Sequence, residues 1–282
     1  MELLTKWVHY GSDNAYSGYL AKPAAAIGTQ PAVIVLQEIW GVDGHIQSVT
    51  DRLAMSGYVA FAPDLYALNG KHPEPLKPER IAQLKAFMDS LPIGVWGNPE
   101  ARSQALAEKS EEEREALEET QKMIFQRDIP AFLQRVTAAT EYLREQEPAS
   151  RGKRVASVGF CLGGALSAQL ACLDSKLAGA VIFYGNAPQT EQLLNIECPV
   201  IGFYGGKDAR ITDGVPAFAE AMNAAGKSFV PHVYPEAPHA FFNDSRTSYR
   251  VDAARDAFAR TLAFLNECLS EPNAEQVRLP NS

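Results

Sequence analysis

Basic residues are scarce in this sequence: 26 Lys and Arg stand against 34 Asp and Glu over 282 residues, a net charge of −8. A surface of that sign repels phosphate backbones and anionic lipid, which argues against nucleic-acid and membrane partners. Long apolar runs are missing as well, and none approaches the ~20 residues that a membrane span needs. The stretch Met1-Glu2-Leu3-Leu4-Thr5-Lys6-Trp7 has no basic segment leading into an apolar one, so no secretory leader is read and the expected location is cytoplasmic. Cysteine is sparse, and Cys161, Cys172, Cys198 and Cys268 form no C-x-x-C and no paired Cys/His spacing. Neither a disulfide framework nor a zinc site is indicated, and no metal or organic cofactor is expected.

What is present is a large apolar complement, 46% of residues, enough for a sizeable core in one α/β domain spanning 1–282. Val8-His9-Tyr10 and Gly18-Tyr19-Leu20-Ala21 read as an opening hairpin. Ala32-Val33-Ile34-Val35-Leu36 is a continuous apolar run, the signature of a parallel strand buried on both faces. Ile46, Val49 and Leu53 follow at helical spacing, Gly57 stops the helix, and Tyr58-Val59-Ala60-Phe61-Ala62 makes the next strand. Strand and helix patterns then alternate to a last helix carrying Val251, Ala254, Phe258, Leu262, Leu265 and Leu269. The fold class is therefore α/β, a mostly parallel sheet covered by helices on both faces. The segment of about 66–127 breaks the rhythm. It is rich in proline and carries the charge run Ser110-Glu111-Glu112-Glu113-Arg114-Glu115, which reads as a solvated face of one or two helices inserted over the sheet's edge. After Pro272 the tail, about 272–282, reads as loose.

One stretch concentrates chemistry: Val155-Ala156-Ser157-Val158-Gly159-Phe160-Cys161-Leu162-Gly163-Gly164-Ala165. A β-branched run stops at a glycine, a nucleophile follows, and further glycines open a small-residue helix, which is the nucleophile elbow G-x-[nucleophile]-x-G with cysteine in place of serine. The glycines leave room for strand and helix to close on a strained turn. Functional groups of a parallel sheet collect on the loops after strand carboxyl ends, and four such loops end in Glu38, Cys161, Asp208 and His239. A thiol needs an imidazole to take its proton, and that imidazole needs a carboxylate to fix its tautomer. Competing readings are a turn or cap role for Asp208 and inert, buried roles for the other three cysteines. Of the other histidines, His9, His72 and His232 lie in strand or proline-rich patterns that suit structural roles, whereas His45, beyond the Glu38 loop, is a candidate substrate contact.

At these residues the sequence resembles the dienelactone hydrolase family of α/β-hydrolases. Six pieces carry the resemblance in order: Gln37-Glu38-Ile39-Trp40-Gly41-Val42, Asp51-Arg52-Leu53-Ala54, Ala62-Pro63-Asp64-Leu65-Tyr66, Gly159-Phe160-Cys161-Leu162-Gly163-Gly164, Tyr204-Gly205-Gly206-Lys207-Asp208 and Tyr234-Pro235-Glu236-Ala237-Pro238-His239-Ala240-Phe241. The resemblance implies an α/β-hydrolase fold with Cys161 as nucleophile, His239 as base and Asp208 as its orienting acid. It also implies Glu38 as a carboxylate beside the resting thiol, and the backbone N–H groups of Leu162 and Ile39 as an oxyanion hole. Trp40, His45, Tyr66 and Asn243 are the expected substrate contacts. Family members that act on dienelactone carry an arginine four residues after the catalytic histidine, to hold the substrate carboxylate. Here Asn243 stands at that position, and the middle segment aligns Leu117 and Gln121 where the family places a second arginine and a tyrosine.

The expected activity is cleavage of a small-molecule ester or lactone through an acyl-enzyme on Cys161, by a monomer or homodimer, with substrate preference altered from dienelactone. Asn243 points to a neutral or larger substrate, unless a local basic pocket of Arg210, Arg246 or Arg250 overrides it. The alternatives are a true dienelactone hydrolase and a thiol redox sensor on the same fold.

Overall fold

The structure, a computed structural model, describes residues 2–92 and 98–270. The expected loose tail lies outside the described residues. Strands β1 (Leu3–Tyr10) and β2 (Tyr16–Pro23) form the opening hairpin, longer at both ends than the sequence pattern suggests, with Tyr10 paired to Tyr16 at the turn. Next come β3 (Ala32–Leu36), helix α1 (Gly44–Met55) and β4 (Val59–Pro63). The inserted segment holds α2 (Pro78–Ser90), α3 (Pro99–Ala107) and α4 (Glu111–Phe125), one helix more than expected. Asn98 caps α3 ahead of Pro99. Ser110 and Glu113 close a reciprocal capping box on α4, so the acidic run both faces solvent and satisfies orphan N–H groups at a positive helix end.

Helix α5 (Ile129–Glu145) leads to β5 (Val155–Phe160), α6 (Leu162–Leu173), β6 (Ala180–Phe183) and β7 (Val200–Gly205). The short α7 (Ala209–Thr212), α8 (Val215–Ala224), β8 (Phe229–Tyr234) and α9 (Val251–Leu269) complete the described chain. The eight strands make one sheet in the order β1-β2-β4-β3-β5-β6-β7-β8. β2 runs antiparallel to β1 and β4, and every other pair is parallel.

Side-chain alternation shows why the central strands read as unbroken apolar runs. Ala32, Ile34 and Leu36 enter one core with residues of α2 to α6 and α8, while Val33 and Val35 enter a second core with α1 and α9. Both faces are dry, so a polar residue is accommodated only with an internal partner, as Ser157 of β5 is by the Ser167 hydroxyl at 2.8 Å. Parallel register then aligns the strand ends. Leu36 pairs with Gly159, Phe160 with Phe183, and Gly205 with Tyr234, so the chain leaves β3, β5, β6, β7 and β8 along one carboxyl edge.

Candidate active site

Cys161 is the turn between β5 and α6, and its backbone has φ 54° and ψ −110°, a conformation that L residues rarely adopt. The flanking glycines explain how the turn closes. A Cβ on Gly159 would stand 1.9 Å from the carbonyl oxygen of Gly163, and one on Gly163 would stand 2.1 Å from that of Leu36. Two backbone bonds fix the turn to its neighbours: Cys161 N–H donates to Phe183 O at 3.0 Å, and Gly163 N–H to Gln37 O at 3.0 Å. The second bond draws the Gln37-Glu38-Ile39 loop against the opening of α6. Leu162 is the first residue of that helix, so its N–H has no intrahelical acceptor.

Asp208 and His239 meet across the ends of β7 and β8, Nδ1 of the imidazole lying 2.5 Å from Oδ2 of the carboxylate. Asp208 is buried, and the His239 side chain keeps 30% of its surface exposed. Burial works against an imidazolium here. Hydrogen bonds to Asp208 and Cys161, together with their negative charges, outweigh it and push His239 up to about 10. Cys161, His239 and Leu162 line one cavity of about 200 Å³, with Tyr184, Arg127 and Arg210. The other three thiols are buried, and burial pushes Cys172 and Cys268 up to about 11 and Cys198 to about 12, values that keep them as inert thiols.

Glu38 is nearly inaccessible at 3% exposure. Its carboxylate accepts from the Tyr184 hydroxyl at 3.0 Å and from Asn243 Nδ2 at 2.7 Å, two neutral donors that meet the demand of a buried anion. Tyr184 was not picked out by sequence reasoning. It follows β6 at the same sheet edge as the four residues that were, and its φ of 40° turns it so that its ring stands edge-on to His239, centroids 5.0 Å apart.

The four expected substrate contacts lie elsewhere. Asn243 is fully buried: it donates to Glu38 and accepts from the backbone N–H and hydroxyl of Ser245, which packs its amide inside the protein away from the cavity. Tyr66 is buried and donates its hydroxyl to Ile39 O at 2.9 Å, tying down the loop of an expected oxyanion donor. Trp40 is covered by the Arg246 guanidinium, 5.2 Å from its ring, and faces a separate cavity of about 470 Å³. His45 projects to the second core, against Phe160 and Phe242, with Nδ1 held by Asp244 at 2.9 Å. None of the four lines the cavity that contains the thiol.

The remaining histidines occupy structural settings. His9 is exposed on β1, His72 pairs with Asp64 at 2.8 Å, and His232 stacks on Phe203.

A mostly parallel sheet with a strained turn between a strand and a glycine-fronted helix, and a carboxylate-held histidine on the same edge, is the architecture of an α/β-hydrolase, a class that acts on ester bonds. Within that class the chain belongs to the dienelactone hydrolase family, whose model matches residues 16–269. It is 35% identical over 271 residues to a "putative carboxymethylenebutenolidase" of Saccharolobus solfataricus, covering 93% of this chain and 98% of that one. Among solved structures it is similar to a "putative dienelactone hydrolase" of Klebsiella pneumoniae subsp. pneumoniae, with a TM-score of 0.64 and 29% identity over 95% of this chain and 100% of the other. A dienelactone hydrolase-like promiscuous phosphotriesterase from metagenomic libraries shares the fold at a TM-score of 0.66 and 19% identity, over 96% of this chain and all of that one.

Proposed function

We propose that this protein hydrolyses carboxylic esters or lactones through a covalent acyl-enzyme on Cys161. The observation that carries the reading is the convergence of the strained Cys161 turn and the Asp208-held His239 on one solvent-open cavity. With His239 already holding the thiol proton as an imidazolium, Cys161 Sγ attacks the carbonyl carbon. The carbonyl oxygen becomes an oxyanion, met by the N–H groups of Leu162 and Ile39. Collapse expels the alkoxide, which His239 protonates, and the same imidazole then takes a proton from the water that attacks the thioester. Asp208 holds Nδ1, so Nε2 faces the reacting atoms throughout. Glu38 sets a fixed negative charge behind the thiol, supported by Tyr184 and Asn243. Substrate preference departs from dienelactone, because Asn243 is a neutral amide buried against Glu38, out of reach of a ligand carboxylate.

The test is a screen of purified protein against short p-nitrophenyl esters, neutral lactones and dienelactone. Cys161→Ala is expected to lower turnover by about a thousandfold or more, as loss of a covalent nucleophile does. It is expected to shift the melting temperature by only a few degrees. Brief, substoichiometric iodoacetamide is expected to label Cys161 first. Preferential labelling of Cys172 or Cys268, or undiminished turnover in the alanine variant, would sink the assignment.

A further inference from the structure

Tyr66, an expected substrate contact, instead puts its hydroxyl on the backbone of the Gln37-Glu38-Ile39 loop, donating to Ile39 O at 2.9 Å. That loop carries the N–H of Ile39, the second oxyanion donor of the proposed reaction. Peptide units are planar, so the direction of this N–H is set by how the units on either side of it are held. Both are anchored. On one side, Gln37 O accepts from Gly163 N–H at 3.0 Å, which ties the start of the loop to α6. On the other, the Tyr66 hydroxyl holds Ile39 O, and its ring lies along Gly41, where a Cβ would stand 3.5 Å from Cδ2. Between the two anchors, the Glu38 carboxylate is fixed by Tyr184 and Asn243.

The support under Tyr66 is itself tied on every side. Asp64 Oδ1 accepts from the N–H groups of Tyr66 at 2.9 Å and Ala67 at 3.2 Å. Leu65 N–H donates to the Gln37 side chain at 3.1 Å, and Leu65 O accepts from Arg135 of α5. The Tyr66 ring meets Phe132 edge-on, centroids 5.9 Å apart, and both Tyr66 and Gln37 are buried. Burial raises Tyr66 above the ordinary tyrosine range, so its hydroxyl keeps the proton that Ile39 O accepts.

We infer that Tyr66 is a positioning residue of the proposed hydrolysis, whose hydroxyl aims the Ile39 N–H at the oxyanion and matters only in steps where an oxyanion forms. This assignment rests on the hydrolase reading above and deepens it. A donor aimed in advance stabilises developing charge without the cost of turning toward it during the reaction. Tyr66 does not line the thiol's cavity, so it works through Ile39.

The test sets two reactions of the same sulfur against each other. Acylation by p-nitrophenyl acetate, read as the first release of p-nitrophenolate, passes through an oxyanion: the Sγ–C bond forms, the carbonyl electron pair moves to oxygen, and it returns as the phenolate leaves. Alkylation by iodoacetamide forms none, because Sγ displaces iodide from a saturated carbon. Tyr66→Phe removes one oxygen and keeps the ring. It is expected to slow acylation by about tenfold to a hundredfold, at or below the cost of losing a whole oxyanion donor. The alkylation rate and the ester concentration that half-saturates acylation are expected to hold within a factor of about two, and the Tm within a few degrees. Gln37→Met, which takes the acceptor from the Leu65 N–H beneath Tyr66, is expected to show the same split at about threefold. Tyr19→Phe, which removes a hydroxyl bonded to Asp51 at 3.0 Å, is expected to leave both rates unchanged.

Equal slowing of both reactions would place Tyr66 on the thiol or in the fold. A rise in half-saturating ester with the maximal acylation rate kept would make it a substrate contact, and no change in either rate would make the bond idle. Each of these overturns the inference and leaves the hydrolase standing. Folded wild-type protein that is alkylated at Cys161 yet acylated by no ester of the screen above would overturn the hydrolase reading, and this inference with it.

Discussion

The two cavities near the sheet's carboxyl edge differ in a way that volume does not reveal. The larger, about 470 Å³, has Trp7, Trp40 and Tyr66 in its walls, and its charged groups are already matched: Asp64 with His72 at 2.8 Å, and Asp43 with Lys85 at 2.8 Å. The smaller, about 200 Å³, holds a thiol, an imidazole with one nitrogen still free of Asp208, and two guanidiniums with no ion-pair partner among the described residues. Interaction capacity left unspent, rather than empty space, marks the place where a substrate can be bound and changed. Tyr66, in the wall of the larger cavity, reaches toward the smaller one: its hydroxyl holds the Ile39 carbonyl, and it lies within the electrostatic reach of Cys161 and Arg127.

Substitutions on either side can break that contrast. The largest effect is expected for Asp208→Asn, which leaves the imidazole in the wrong tautomer and lowers turnover by about a thousandfold or more. The same change removes a hydrogen bond and a charge that raise His239, so its titration, followed by NMR, is expected to fall from about 10 toward the ordinary histidine range. A midpoint that stays near 10 would assign the elevation to Cys161 alone.

Glu38→Gln is expected to act through charge with little loss of packing. The Gln oxygen can still accept from Asn243 Nδ2, and the Tyr184 hydroxyl can turn to accept from the new amide. Melting should change by a few degrees at most. On the role proposed for Glu38 behind the thiol, the substitution should raise the rate of Cys161 alkylation at pH 6 severalfold. An unchanged rate would leave Glu38 with a bracing role only.

The smallest effect belongs to the larger cavity. The hydrogen bond to Asp64 raises His72 above its ordinary value, against the opposing pull of burial. A raised histidine stabilises the fold fully below its unfolded pKa and loses that contribution as pH climbs through the folded one. His72→Gln should therefore cost up to about 1 kcal/mol at pH 5.5, discounted for partial exposure, and next to nothing at pH 9. Denaturant melts at the two pH values check this, with kcat expected to hold within a factor of about two. An equal loss at both values would place the effect in packing.

Local chemistry was legible in the sequence wherever it depends on short spacing. The glycine frame of Cys161 and the apolar runs of β3 and β4 were readable from neighbours in the chain, and the alternation of strands and helices put the loops of Cys161, Asp208 and His239 at one sheet edge. Long-range pairings were not. Asn243 and Glu38 are 205 positions apart, so a residue noted for replacing an arginine could not be seen as a buried partner of that glutamate. Tyr184 was missed because its direction depends on a backbone angle that residue type does not encode. The misplacement of His45 was avoidable. It sits four residues before Val49 and eight before Leu53, which puts it on the buried face of α1 by helical periodicity alone. The insert was undercounted by one helix because Asn98-Pro99 and Ser110 with Glu113, both start signals, were passed over as proline and charge.

The backbone angle at Cys161 has a consequence for endurance. Holding a residue with a Cβ at φ 54° and ψ −110° costs about 1–3 kcal/mol, a noticeable part of the margin that keeps a protein of this size folded. Glycine would occupy the same turn at ease and could never form an acyl-enzyme. On the proposed mechanism the most heat-tolerant version of this turn is therefore a chemically dead one, and thermal reserve is traded for a sulfur held at the mouth of the cavity.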